Sequence, residues 1–204
     1  MLSGKHLVQF VITMDEDDET MNNPKMRQWL ATRQQNAEIQ FYYGHSKSKV
    51  EAVNADLSEV DGDVLLLASD DMYPVMVEYD DIIFSAFAHS FPNFDGAIKF
   101  WDGFRRREDL MMTLAVLGFP LYRKFGYIYH PDYKSLFCDE EQTYACMMIG
   151  KLAKVDVCII QHLWTAIPFD PLHARNENKD MYARDGAVFE QRKSKNFFAQ
   201  ALLS

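Results

Sequence analysis

The sequence predicts an α/β fold, a sheet covered by helices on both faces, and three observations carry that reading. Short apolar runs alternate with segments of helical period through the first half of the chain. The strongest of these runs are continuously apolar, as strands buried on both faces are. With 204 residues, 48% of them hydrophobic, the chain can build one full core but divides poorly into two domains.

Leu7 to Met14 reads as the first strand, bounded by the acidic run Asp15-Glu16-Asp17-Asp18-Glu19. Asn23 is placed to cap a helix that Pro24 opens, with Trp29 and Leu30 on one side. Ile39 to Tyr43 is a second strand, ended by Gly44. Lys49 to Leu57 carries Val50, Val53 and Leu57 at spacings of three and four, a helix for Ser46 or Ser48 to cap. Val64 to Ala68 is the most strongly apolar run of its length, and a helix follows from near Tyr79 through Phe87.

Beyond Pro92 a short strand is expected over Ala97 to Trp101, then a stretch dense in Tyr, Phe and Gly from Phe119 to Phe137. One long helix should span Glu140 to about Leu152, and a last strand Val155 to Ile160, leading into His162-Leu163-Trp164. The polar tail from Pro171 reads as a flexible active-site loop ending in a helix from Val188 to Leu203.

Composition narrows the function. The formal net charge of -9 disfavours a nucleic-acid surface, and the longest basic cluster, Arg105-Arg106-Arg107, is followed at once by Glu108-Asp109. No apolar run is long enough for a membrane span, and the start lacks the basic-then-apolar order of a signal peptide. Cys138, Cys146 and Cys158 show no paired spacing, which fits buried thiols in a reducing cytoplasm.

Chemistry gathers at a few places. Ser69-Asp70-Asp71 follows an apolar strand, where ligands of open α/β sheets bind. Adjacent carboxylates repel, and a proton, a basic side chain or a hard cation such as Mg²⁺ or Mn²⁺ relieves them; the plain alternative is a solvated turn. Asp15, Asp17 and Asp18 tip the first strand in the same way, and a carboxylate there can accept from a ribose hydroxyl or a base edge. Gly44 to Lys49 puts two lysines at a helix start, a seat for phosphate, although the spacing is not that of a P-loop. Asp139 fits a helix N-cap and Glu141 its first turn; either can cap the helix or serve as a general base facing one pocket. His162 ends a strand, structural or a third metal ligand.

The ordered set resembles a GT-A glycosyltransferase of the inverting family-2 type, in a phage and environmental-bacterial subgroup. The resemblance rests on Ile12 to Asp18, Ser46 to Asn54, Leu67 to Met72 and Phe125 to Tyr133, and covers nearly the whole chain. It implies a GT-A-like, Rossmann-type mixed sheet in a single domain over 1–204. The nucleotide-binding half would be 1–90, the acceptor and catalytic half 91–170, and the C-terminal loop and helix 171–204. Asp15 and Asp17 would lie by the nucleotide, Lys49 by its phosphates, and Asp70 against the ribose or diphosphate. Asp71, with His162, would hold Mn²⁺ or Mg²⁺, and Asp139 or Glu141 would deprotonate the hydroxyl of a carbohydrate or other acceptor. Trp101, Tyr127, Tyr133 and Trp164 are candidates to stack on sugar faces or to be core.

Family members begin with a further strand and helix before the strand that ends here at Asp15, and Met1 to His6 are too few for that unit. A sheet position is therefore expected to be unpaired or an edge exposed, which a homodimer would relieve. Two other functions compete: a non-catalytic GT-A-like nucleotide-binding or assembly module, and a metal-dependent phosphohydrolase or nucleotidyltransferase.

Overall fold

The structure is a computed structural model and describes residues 2–32, 38–163 and 178–203. It begins with β1 (Gln9–Asp15), α1 (Pro24–Ala31), β2 (Glu38–Gly44) and α2 (Lys49–Asn54). Then come β3 (Val64–Leu66), β4 (Met72–Pro74), α3 (Tyr79–Ser90), β5 (Ala97–Phe100), β6 (Val116–Gly118) and α4 (Phe119–Phe125). The last elements are α5 (Cys138–Met148), β7 (Leu152–Val155), β8 (Ile160–His162), α6 (Lys179–Lys193) and a 3-10 segment (Asn196–Leu203).

Local signals account for the helix starts. Asn23 Oδ1 accepts the Met26 N–H at 2.9 Å, with Pro24 at the first helical position of α1. Ser48 Oγ accepts the Glu51 N–H at 3.2 Å, and the Glu51 carboxylate returns to the Lys47 N–H at 3.0 Å, close to a capping box. Of the pair expected on one side of α1, Leu30 is buried and Trp29 is about half exposed.

The chain is mixed α/β, but its strands form three sheets where one was expected. β1 and β2 are a parallel pair in register from Gln9↔Glu38 to Asp15↔Gly44. The central sheet has the order β3-β6-β5-β7, antiparallel except for the parallel pair β5 and β7. β4 and β8 form an antiparallel pair. The strand expected over Val155 to Ile160 is instead a break between β7 and β8: the chain leaves β5 at Val155 and joins β4 at Ile160.

Both faces of the central sheet are covered, as its continuous apolar runs require. Alternation in β5 sends Ala97 into a core with Val50 of α2, Leu121 of α4 and Cys146 of α5. It sends Ile98 and Phe100 into a second core with Ile83 and Phe87 of α3. Gly118 ends β6 where a Cβ would stand 1.5 Å from the Phe94 carbonyl oxygen, so only glycine allows this approach. The start of the chain is tied to α3: Ser3 N–H and Oγ donate to Asp80, and Lys5 and His6 reach Asp81.

The C-terminal helix also differs from expectation, running over Lys179–Lys193 and not from Val188. The loop expected from Pro171 and the aromatic Trp164 lie outside the described residues, apart from 178 onward.

Candidate functional site

Two of the expected site residues meet directly. β4 and β8 pair Met72 with His162, so Asp71, one residue before β4, lies beside the imidazole. His162 Nε2 stands 3.0 Å from Asp71 Oδ2, and the Ser69 hydroxyl donates to Oδ1. Backbone bonds fix both ends of this contact: Leu163 N–H donates to Asp71 O at 2.8 Å, and His162 N–H to Asp102 O at 2.9 Å. Partial burial pushes the Asp71 carboxyl up, but the His162 and Ser69 hydrogen bonds outweigh it and bring the pKa down to about 2. Asp71 is thus an anion with an imidazole at hand. Asp70, next to it, is exposed, and its carboxylate has no hydrogen-bond partner among the described residues.

Asp102 holds the neighbouring loop. Its buried carboxylate accepts the Phe104 N–H at 2.9 Å, the Arg105 N–H at 2.8 Å and the Thr113 hydroxyl at 3.0 Å. The same residue's carbonyl holds His162, so the loop after β5 positions the imidazole. Trp101 lies in this loop with its indole N–H on the Arg105 carbonyl and the Arg107 guanidinium 4.2 Å from its ring.

A second group sits at the carboxyl ends of β1 and β2. Asp15 closes β1, and the exposed Asp17 follows; neither carboxylate has a hydrogen-bond or ion-pair partner among the described residues. Asp18 is spent locally, on the N–H and hydroxyl of Thr20 and the N–H of Met21. Lys49 is exposed at the start of α2. Three N–H groups at this helix start are already occupied: Val50 N–H donates to Lys134 O, Glu51 N–H to Ser48, and Lys47 N–H to Glu51. No hydrogen bond or ion pair among the described residues links this group to Asp71 and His162.

The two acids of α5 part company. The N-cap position belongs to Phe137, in the left-handed region at φ 62°, and Asp139 lies in the first turn, half-buried. Its Oδ1 accepts the Glu140 N–H at 2.9 Å. Glu141 points into the core: Arg192 Nε reaches its Oε2 at 2.8 Å, Arg192 Nη2 its Oε1 at 2.8 Å, and the Tyr133 hydroxyl donates at 2.7 Å. A carboxylate bound in this way cannot face the pocket expected to be shared with Asp139. Tyr133, considered for sugar stacking, is fully buried in this network.

Lys49 and Asp139 do share a neighbour. Burial pushes the Cys138 thiol up, the Asp139 charge adds to the rise, and the Lys49 ammonium opposes it. Val50 of α2 and Cys138 of α5 belong to one hydrophobic core. A shallow cavity of about 450 Å³ opens beside α2, lined by Ser48, Val50, Glu51, Asn54, Pro131 and Lys134. Asp71, His162 and Asp139 are not in its wall, and its two charged walls are opposite in sign, so the chemistry points to the strand ends instead.

Residues missed by the sequence reading include Asp102, Asp185 and Arg192. Asp185, Phe189 and Arg192 are spaced i, i+4, i+7 on α6, an inward face concealed by the charge of its two polar members. No family model, curated protein or solved structure matches the chain.

Proposed function

We propose that the chain is a metal-dependent glycosyltransferase that takes a sugar from a nucleoside-diphosphate sugar and passes it to an acceptor hydroxyl. The observation that carries this reading is the contact of Asp71 with His162 at the mouth of β3. One carboxylate and one imidazole make a donor set suited to Mn²⁺, and Mg²⁺ would lean on the carboxylate. No group of three or more His, Cys, Asp and Glu side chains gathers among the described residues. Such an ion would then take its other ligands from water and the diphosphate, as hard cations at phosphate sites do. When bound, it would supply positive charge to the leaving diphosphate.

The chain's own residues have the remaining roles. Asp70, exposed beside Asp71, would accept from a ribose hydroxyl. The open carboxylates of Asp15 and Asp17 are acceptors for ribose or base donors, and Lys49 offers charge to phosphate. Glu141 is bound by Arg192 and Tyr133, which leaves Asp139 as the base that takes the acceptor proton. The reading as a non-catalytic binding module gains from the same facts, since one base and two metal donors are a thin catalytic set.

Asp139→Asn separates the two. For a transferase with Asp139 as base, release of nucleoside diphosphate from a nucleotide sugar with acceptor present falls roughly 100-fold or more. Nucleotide affinity stays within about threefold, because the side chain keeps its shape. Turnover unchanged in Asp139→Asn contradicts the assignment of the base; binding without any turnover in the native chain favours the module.

A further inference from the structure

One buried amine in this fold has nothing to hold. Lys99 of β5 is 2% exposed, and its Nζ has no hydrogen-bond partner. No other buried side-chain nitrogen or oxygen among the described residues is left in that state. An unpaired buried ammonium is costly, so a fold that keeps one does so against its own stability. Burial pushes Lys99 below the ordinary lysine value, and the Lys154 charge adds to the lowering.

Strand pairing explains the part of Lys154. β5 and β7 run parallel with Lys99 beside Lys154, so both side chains leave the sheet on one face. That is the face of Ala97. Ile98 and Phe100 take the other face, in the core that includes Met72 and Ile160 of the strands beside the Asp71–His162 contact. Like charges side by side on neighbouring strands destabilise a sheet, and neither lysine has an ion-pair partner among the described residues. Asp102, Asp109 and Asp156 favour the charged amine, but each is engaged elsewhere. Asp102 is held by Phe104, Arg105 and Thr113, Asp109 by the Met111 N–H and Arg105, and Asp156 by Arg107 at 3.8 Å.

We propose that Lys99 and Lys154 form a binding site for one small oxyanion, a phosphate or carboxylate group, separate from Asp71 and His162. Such a group supplies the acceptor that the buried amine lacks and turns two repelling cations into a bridge. Lysine suits the task, because its compact charge carries three donors on a flexible stem that can move to meet the anion. The approach is short. β7 is the last strand of the central sheet and Lys154 on it is exposed, so Lys99 lies one strand spacing, about 4.8 Å, in from the edge. The site needs neither the metal nor the nucleotide of the proposed transferase.

Titration of the full chain with sodium phosphate, and separately with sodium acetate, tests the site. Amide NMR follows each titration without metal, at an ionic strength held constant with sodium chloride. At least one anion should shift the amides of Phe100 and Val155 and saturate below about 50 mM. Tighter phosphate assigns the site to a phosphoryl ligand, and tighter acetate to a carboxylate. Lys99→Met should weaken this binding at least roughly tenfold, the loss of one charge-assisted contact. It should also raise the Tm of the anion-free chain by about 2 °C or more, since the unpaired amine is gone. Lys154→Met, at an exposed position, should weaken the binding by roughly the same factor. Three results overturn the proposal: neither anion shifts those amides beyond chloride, either variant binds as the native chain does, or Lys99→Met brings no gain in Tm.

Discussion

Most charged side chains that a sequence offers as catalysts are also the ones a fold uses to hold itself together, and Glu141 shows how the two are told apart. It is 3% exposed and takes a two-pronged bond from Arg192 together with the Tyr133 hydroxyl. Removing one partner of a buried pair leaves the other uncompensated, so Glu141→Leu should lower the unfolding free energy by about 3–5 kcal/mol in urea titrations. The double variant Glu141→Leu with Arg192→Met should recover most of that loss, since neither charge is then left alone. Asp185 is fully buried and accepts N–H groups of Lys134, Ser135 and Leu136 as well as Arg184. Asp185→Ala strands those donors and should cost about 3 kcal/mol or more by the same measurement. Asp95 gives an acid limb. The Lys151 hydrogen bond holds its carboxyl below the usual value, partial burial opposes this, and Lys124 adds to the lowering. A depressed carboxylate stabilises the fold above its unfolded pKa of about 3.9 and loses that contribution as pH falls through the folded value. The gap in Tm between the native chain and Asp95→Asn should therefore be widest near neutrality and close as pH falls from about 5 toward 2.

At the scale of elements, the legible parts were those with local causes. Asn23-Pro24 and Ser48 marked helix starts because a cap and a fixed φ act within one turn. Asn23→Ala should accordingly cost about 1 kcal/mol in thermal or urea unfolding, the usual loss for a side-chain cap. The apolar runs of β1, β2, β3 and β5 were also readable, although burial on both faces accounts only for β5: in β1 Met14 alone is buried, and in β2 no residue is. What failed was set by partners distant in sequence. β4 and β8 are three residues each and exist by pairing with one another, so neither has a period to read. The segment Val155 to Ile160 read as one strand because apolar residues on both sides of a crossing look continuous in a sequence. α6 was placed late because its inward face is Asp185, Phe189 and Arg192, polar at two of three positions. Of the site, Ser69-Asp70-Asp71 and His162 were legible as types at strand ends, and the structure adds that Asp71 and His162 touch. Asp102 was not legible, because a carboxylate that caps a loop resembles any turn acid until its three donors are seen.

On the scale of the whole molecule, the strands divide into a parallel pair, a central four-stranded sheet and a short antiparallel pair. The last of these carries Asp71 and His162, and the first carries the open acids Asp15 and Asp17. No helix among the described residues is long and apolar enough to cross a membrane. The proposed transferase needs these parts to act on one nucleotide, with the metal as their common ligand. The most direct measurement is calorimetric titration of the full chain with nucleoside diphosphates, with and without Mn²⁺, in the native form and in Asp71→Ala. The account expects binding that requires Mn²⁺ and is weakened at least roughly 100-fold in Asp71→Ala, the scale of about 3 kcal/mol for a charge-assisted contact. Binding of equal strength without metal, or no binding of any common nucleoside diphosphate by the folded chain, would contradict it.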